Sequence, residues 1–286
     1  MPSLKALRKR IATVRSTQQI TKAMKMVSAA KLRRAQEAAE RARPYSAKLA
    51  EMFGAVVADV ESSAHPLLAR RGEQRVELVV VTSDRGLCGG FNSNLLRRVE
   101  AYARQHTDKQ LVVTGVGRKA LEFFRRRNFT IVGKQTDVMT RPVIESARAI
   151  ADGMTKRFAS GETNAVYLLY NAFRSAMSQV PTITPLLPVA LPERTPGEQP
   201  IDYIFEPARP ELLAQLLPRY IDTLLMQALL ESIASEHGAR MTAMENATNN
   251  ASDMIGRLTL SMNRARQAAI TTELMEIVSG AEALKG

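Results

Sequence analysis

From residue 210 to the C-terminus the chain reads as one helix built around a stripe. Met241, Met244, Thr248, Ala251, Ile255, Leu258, Met262, Ala265 and Ala269 recur in alternating steps of three and four, after which the stripe moves over by one position to Ile270, Leu274, Ile277, Ala281 and Leu284. Such alternation averages about 3.5 residues, slightly under the natural turn of an α-helix, so a stripe held this long winds left-handed around a partner helix. No proline follows Pro218, and Gly238, Gly256 and Gly280 alone break a run of good helix formers. At ~1.5 Å per residue the helix would reach roughly 110 Å, well past the ~20 residues at which ordinary helices end, so it is expected to project. Ala and Met dominate the stripe where Leu and Ile would be usual, which predicts a partner lying close.

The partner is at the other end of the chain. With Ser3 as N-cap, the spacing predicts helix to about Val60. Leu4, Leu7, Ile11 and Val14 open a heptad; Ile20, Met24 and Val27 continue it in shifted phase; Leu32, Ala35, Ala39 and Ala42 carry it on. Pro44 is expected to kink or break the helix, after which Leu49, Phe53, Val56 and Val60 resume the spacing. Two long helices at opposite ends of one chain pair antiparallel if the middle of the chain turns back; two copies pairing between chains are the alternative.

Between these helices the periodicity changes. Residues 62–74 form a polar loop, and Val76–Thr82 is a continuous apolar, β-branched run of the kind buried on both faces of a sheet. Residues 94–105, 118–127 and 142–159 read as helices, and 111–116, 129–132 and 165–173 as further strands. Strands alternating with helices imply right-handed crossovers and a mostly parallel, Rossmann-like sheet. The proline-studded segment 180–189 belongs at an edge, since proline cannot donate to a ladder. The expected fold class is therefore α/β, with a long antiparallel left-handed coiled coil of the terminal helices and a small α/β domain. The expected division is an N-terminal coiled-coil helix over 1–60, the α/β domain over 75–190, a linker over 191–209 containing a short extended piece at 201–205, and the C-terminal coiled-coil helix over 210–286.

Charge changes this picture by its placement. The chain of 286 residues carries a net +12, and residues 1–48 alone hold 13 Lys and Arg against 2 Asp and Glu, a balance of +11. A nucleic-acid-binding coiled coil is one reading of that basic helix, a solvated face a second, and an acidic protein surface a third. No aromatic residue precedes Tyr45, which removes the stacking platforms of single-strand binding. A single cysteine, Cys88, excludes an internal disulfide. No apolar run reaches membrane-spanning length, and Met1–Arg10 is too charged for a signal peptide.

Candidate chemistry is sparse. The turn from Ser83 to Asn92 follows the first strand and opens a helix, where nucleotide folds hold phosphate, yet neither a G-x-G-x-x-G nor a P-loop pattern is present, and a close-packed glycine turn is the better reading. His65, His106 and His237 are scattered without metal-ligand spacing; His237 is expected to be a solvated or inter-helix polar residue, and Cys88 a small packing residue. Catalytic, cofactor-binding and metal-ligating residues are expected to be none. A nucleotide-dependent enzyme is the reading the α/β domain would otherwise suggest.

Ile20–Ser28 (ITKAMKMVS), the turn Ser83–Asn92 and Ile270–Ala281 (ITTELMEIVSGA) together resemble the gamma subunit of F-type ATP synthases, in the right order over the whole chain. The resemblance implies a non-catalytic central-stalk rotor. Its coiled coil would turn inside a hexamer of alpha and beta subunits, its α/β domain would sit beside the epsilon subunit and the membrane c-ring, and ion flow would be coupled to ATP synthesis or hydrolysis. It implies hexamer contacts at Met24, Lys25, Arg240, Arg266, Gln267, Thr271, Glu273 and Glu276, and contacts on the ring and epsilon side at Tyr203, Phe205 and Glu206. Phe205 is often tyrosine in that family, and the thiol pair of the chloroplast form is absent. No cofactor and no nucleic acid are implied, membrane contact is only through the complex, and the location is the cytoplasmic side of a bacterial inner membrane.

Overall fold

A computed structural model describes residues 3–57, 65–138, 142–190, 206 and 208–283. Helix α1 (Leu4–Val57) is followed by a short 3-10 turn at Pro66–Leu68, then by β1 (Arg75–Val81), α2 (Phe91–Gln105), β2 (Gln110–Val116), α3 (Arg118–Arg126), β3 (Thr130–Gln135), α4 (Val143–Ser160), β4 (Ala165–Phe173), β5 (Gln179–Leu187) and α5 (Arg209–Ala283). By contact the chain falls into two units: Ser28–Arg240, and the described parts of Met1–Val27 with Met241–Gly286. The expected linker 191–199 and the extended piece at 201–205 lie outside the described residues.

Pro44 does not end the first helix. It sits inside α1, whose neighbouring turns are held by buried Ser46 and Leu49 and by a Ser46 hydroxyl donating to the Ala42 carbonyl at 3.0 Å. One missing backbone donor on an exposed face is outweighed by packing on both sides of it. Pro218 is accommodated within α5 in the same way, between buried Leu217 and Ile221.

The seam of α1 keeps one phase throughout. Leu7, Ile11 and Thr21 are buried in the unit of the chain ends, and Ser28, Leu32, Ala35, Ser46, Leu49, Phe53 and Val56 in the other, all on a single three-four series from Leu4. The expected shift to Ile20 and Val27 does not occur; both are more than half exposed. Its reason is polar pairing. The Thr21 and Thr248 hydroxyls lie 2.8 Å apart, and Lys25 Nζ donates to Glu245 Oε1 at 2.6 Å. A shift that buried Ile20 and Val27 would break both contacts. These pairs also show the two helices antiparallel within that unit, as expected. The Lys25–Glu245 pair is partly exposed, so it adds little energy and instead fixes alignment.

The stripe on α5 is buried or half-buried from Met241 to Ala265, then ends. Ile270, Leu274 and Ile277, expected to extend the seam, are at least half exposed. Counting from the Thr21–Thr248 pair in antiparallel alignment, Leu4 falls opposite Ala265, so α1 has no residues left to cover them.

In the unit Ser28–Arg240 the sheet has the order β3-β2-β1-β4-β5, with β1 to β4 parallel and β5 antiparallel at an edge. This is the expected doubly wound arrangement with the proline-bearing strand outermost. One face of β1, through Leu78 and Val80, packs on α2 and α3. The other, through Val79 and Val81, packs on α4, the end of α1 and the first turns of α5, where the Phe53 and Tyr220 rings stack at 4.2 Å. Glu77 shares that second face and is fully buried. Both of its oxygens are bonded to Arg157 on α4, and Thr114 donates to one of them at 2.6 Å. Gly117, between β2 and α3, has φ +91, and a Cβ there would land on the Thr82 carbonyl. Only glycine permits that approach, and Thr82 uses it to bond Val116 and cap Ala120.

Candidate functional site: a filled crevice and an uncovered helix end

In an open parallel sheet, ligands enter the crevice where strand order reverses, beyond the carboxyl ends of the strands. Here that point lies between β1 and β4, and the turn from Ser83 to Asn92 rises beside it. The chain's own helix occupies it. Ser235 on α5 donates to the Asn171 carbonyl of β4 at 2.9 Å, and Asn171 in turn donates to the Phe91 carbonyl. Ala239 packs with Cys88 and Phe91. Gly238 lets the helix backbone approach the β4–β5 turn, where a Cβ would stand 3.1 Å from Ala176 Cα. What remains is a cavity of about 20 Å³ lined in part by Thr82, Asp84, Gly117 and Glu236, room for about one water. The N-terminus of α3 is also taken, because Asp84 accepts from the Arg118 and Asp137 N–H groups at 3.0 Å each.

Arg240 holds the turn from beneath. Its Nη2 pairs with Glu236 at 2.6 Å, both side chains nearly buried, and donates to the carbonyls of Arg85 at 3.4 Å and Gly86 at 3.3 Å. The Ser83 hydroxyl donates to the Arg85 carbonyl from the other side. Between these anchors Leu87 adopts a left-handed φ of 63 and is two-thirds exposed, a conformation a branched residue keeps only where its neighbours impose it. Cys88 is buried, and desolvation pushes its thiol pKa up, which suits packing and not reactivity.

Sequence reasoning underestimated this face of α5. Of the two environments expected for His237, solvent or a place between helices, the first is excluded: it is buried, and desolvation, reinforced by the Arg240 and Lys31 charges, pushes it down to about 4. The unfolded chain therefore binds a proton between about pH 6.5 and pH 4 that the folded chain does not, so stability is fully present above about 6.5 and is lost as pH falls toward 4. His237→Gln should flatten the slope of the urea midpoint over that window; an unchanged slope would place His237 in water. The signal was available: Ser232, Ser235, Glu236, Ala239 and Arg240 are small or polar residues spaced to share one helix face, a pattern suited to burial against polar backbone. The other two histidines are also structural, His65 capping the turn at Pro66–Leu68 and His106 stacking on Tyr102. Among the described residues there is no group of three or more His, Cys, Asp or Glu placed to hold a metal, and no helix long and apolar enough to cross a membrane.

The remaining expected contact residues divide by position. Met24 and Lys25 lie half-buried at the seam. Arg266, Gln267, Thr271, Glu273 and Glu276 all fall on the exposed last stretch of α5, among uncovered Ile270, Leu274, Met275, Ile277 and Val278. Glu206 is exposed; Tyr203 and Phe205 lie outside the described residues.

The architecture defines a heptad helix pair joined to a doubly wound α/β unit whose ligand crevice is closed by its own helix. A family model described as ATP synthase matches residues 3–284. The ATP synthase gamma chain of Geobacter metallireducens is 52% identical over 289 residues, and that of Pelotomaculum thermopropionicum 50% over 285, each alignment covering all of both chains. Among solved structures, a chain of the Tetrahymena thermophila mitochondrial ATP synthase central stalk and c-ring is 27% identical, with TM-score 0.60 over 80% of this chain and 99% of that one. A chain of the Euglena gracilis mitochondrial ATP synthase shares the fold, at 21% identity and TM-score 0.72 over 98% of this chain and 94% of the other. This chain belongs to the ATP synthase gamma-chain family.

Proposed function

We propose that the chain is the central-stalk rotor of an ATP synthase, a non-catalytic subunit coupling ion flow to ATP synthesis or hydrolysis by rotation. Its helix pair turns within a hexamer of alpha and beta subunits, and its α/β unit sits beside epsilon and the c-ring. It is peripheral, on the cytoplasmic side of a bacterial inner membrane, and reaches the bilayer only through the complex. The observation that carries this reading is the last stretch of α5. Five large apolar side chains between Ile270 and Val278 stand uncovered on a helix whose partner has ended, interspersed with Arg266, Gln267, Thr271, Glu273 and Glu276. An apolar patch of that extent on a soluble helix calls for protein around it. Met24 and Lys25 then meet the hexamer from α1, and Tyr203, Phe205 and Glu206 meet the ring side. Arg240, buried beneath the turn, acts through the backbone of Arg85 and Gly86 and not by direct touch. The filled crevice supports a role without bound nucleotide, and neither the nucleic-acid reading nor the enzyme reading gains support from it.

Co-expression with alpha and beta subunits and native mass spectrometry test the proposal. One copy should be retained by a hexamer that turns over ATP, and Ile270→Ser with Leu274→Ser and Ile277→Ser should weaken retention at least tenfold. Nucleotide turnover by the chain alone, or retention indifferent to the triple change, would overturn it.

A further inference from the structure

Helices α2 and α3 lie side by side on one face of the sheet, and their outer surface is strongly basic. Residues 91–127 carry 9 Lys and Arg against 3 Asp and Glu, a balance of +6. The ion pairs on this surface leave most of that charge free. Glu122 is engaged by Lys119, and Glu100 is approached by Arg127 at 3.3 Å and by Arg104 at 4.0 Å. Arg97 stands on the preceding turn of α2, Arg98 beside it, and Arg125 and Arg126 in the last turn of α3; all four are exposed, and none pairs with a described carboxylate. These six arginines thus lie on or directly after the two helices, and two of them approach Glu100.

The surface lacks what a protein interface requires. No large apolar side chain is exposed among the described residues from Cys88 to Ala176, so there is no apolar anchor to bury. The aromatic rings present are inward: Phe124 is buried, and Phe123 is covered by the Arg127 guanidinium at 5.9 Å. Base stacking is therefore unsupported as well. A net cationic, arginine-rich surface with neither apolar nor stacking anchors matches anionic headgroups, because positive charge is what it has to offer.

We propose that the α2–α3 face is an electrostatic contact for the anionic phospholipid headgroups of the bilayer. The inference rests on the rotor reading, which brings the chain to a membrane surface without inserting it. Each arginine near an anionic leaflet contributes modestly, about fivefold in affinity, so four together recruit a detached complex at low salt and hold it weakly as salt rises. The face biases the position of a subunit that its complex already holds nearby, where local concentration makes a weak contact count.

The test uses the detached, assembled complex of this chain with alpha and beta subunits, floated with phosphatidylcholine vesicles with and without phosphatidylglycerol. The complex should float only with the anionic vesicles, and less as salt rises. Changing Arg97, Arg98, Arg125 and Arg126 together to Gln should lower flotation at least tenfold, with a low-salt ceiling of roughly a thousandfold. The same four changed to Lys should retain it, and Arg125→Gln with Arg126→Gln should give an intermediate loss should the fourfold variant not assemble. ATP turnover and assembly should be unchanged, which separates this contact from the rotor assignment. Equal flotation of the wild type and the Gln variants, flotation indifferent to salt, or a preference for duplex DNA over anionic vesicles would overturn the proposal.

Discussion

Arg157→Met should destabilise the α/β unit by about 3–5 kcal/mol, seen as a lower urea midpoint, because it strips the fully buried Glu77 carboxylate of its counter-charge. Thr114 can offer a single hydroxyl, and the apolar side chains around Val79 and Val81 offer nothing. Adding Glu77→Leu should restore most of the loss, since replacing both partners removes the buried charge as well as its neutraliser. A loss below about 1 kcal/mol for the single change, or no recovery in the double, would show that the pair does not behave as a closed buried unit.

Arg240→Ala should act on the turn more than on the helix that bears it. Glu236 would be left buried without its ion-pair partner and the Gly86 carbonyl without a donor, while the Arg85 carbonyl would keep Ser83, a cost of about 3–5 kcal/mol by the same logic. Hydrogen exchange over residues 83–92 should accelerate far more than over β1 or β2. Lysine should rescue only in part, because its ammonium sits on a shorter side chain than the Nη2 that makes all three contacts and has no second nitrogen to lie beside His237. Protection of the turn that survives Arg240→Ala would remove the clamp role and return Arg240 to direct partner contact.

The helices and the sheet were legible because their periods are clean. A three-four series over dozens of residues, and β-branched runs alternating with amphipathic helices, leave few alternatives. The 3-10 turn at Pro66–Leu68 was missed because three residues carry no period. The misplaced phase at Ile20 and Val27 has a different origin: pattern reading assigns seams to apolar residues, and here Thr21 and Lys25 hold seam positions through partners over 200 residues away. Pro44 was overweighted for the opposite reason, since a local penalty is overridden by packing that sequence does not display. At the candidate site, the packing role of the glycine turn was readable from the absent phosphate motif. That α5 fills the crevice was not, because the contacts join Arg85 and Asn171 to residues 64 to 155 positions distant.

The threonine and lysine–glutamate layers near the chain ends also bear on how such a helix pair carries load. An all-alanine interface would let one strand creep past the other by a whole heptad at small cost, and twisting effort would then dissipate as sliding. Because Thr21 meets its mate only at Thr248, and Lys25 only at Glu245, any such creep must break both contacts together. The pair is thereby pinned at one axial alignment, like a shaft and sleeve held by two cross-pins.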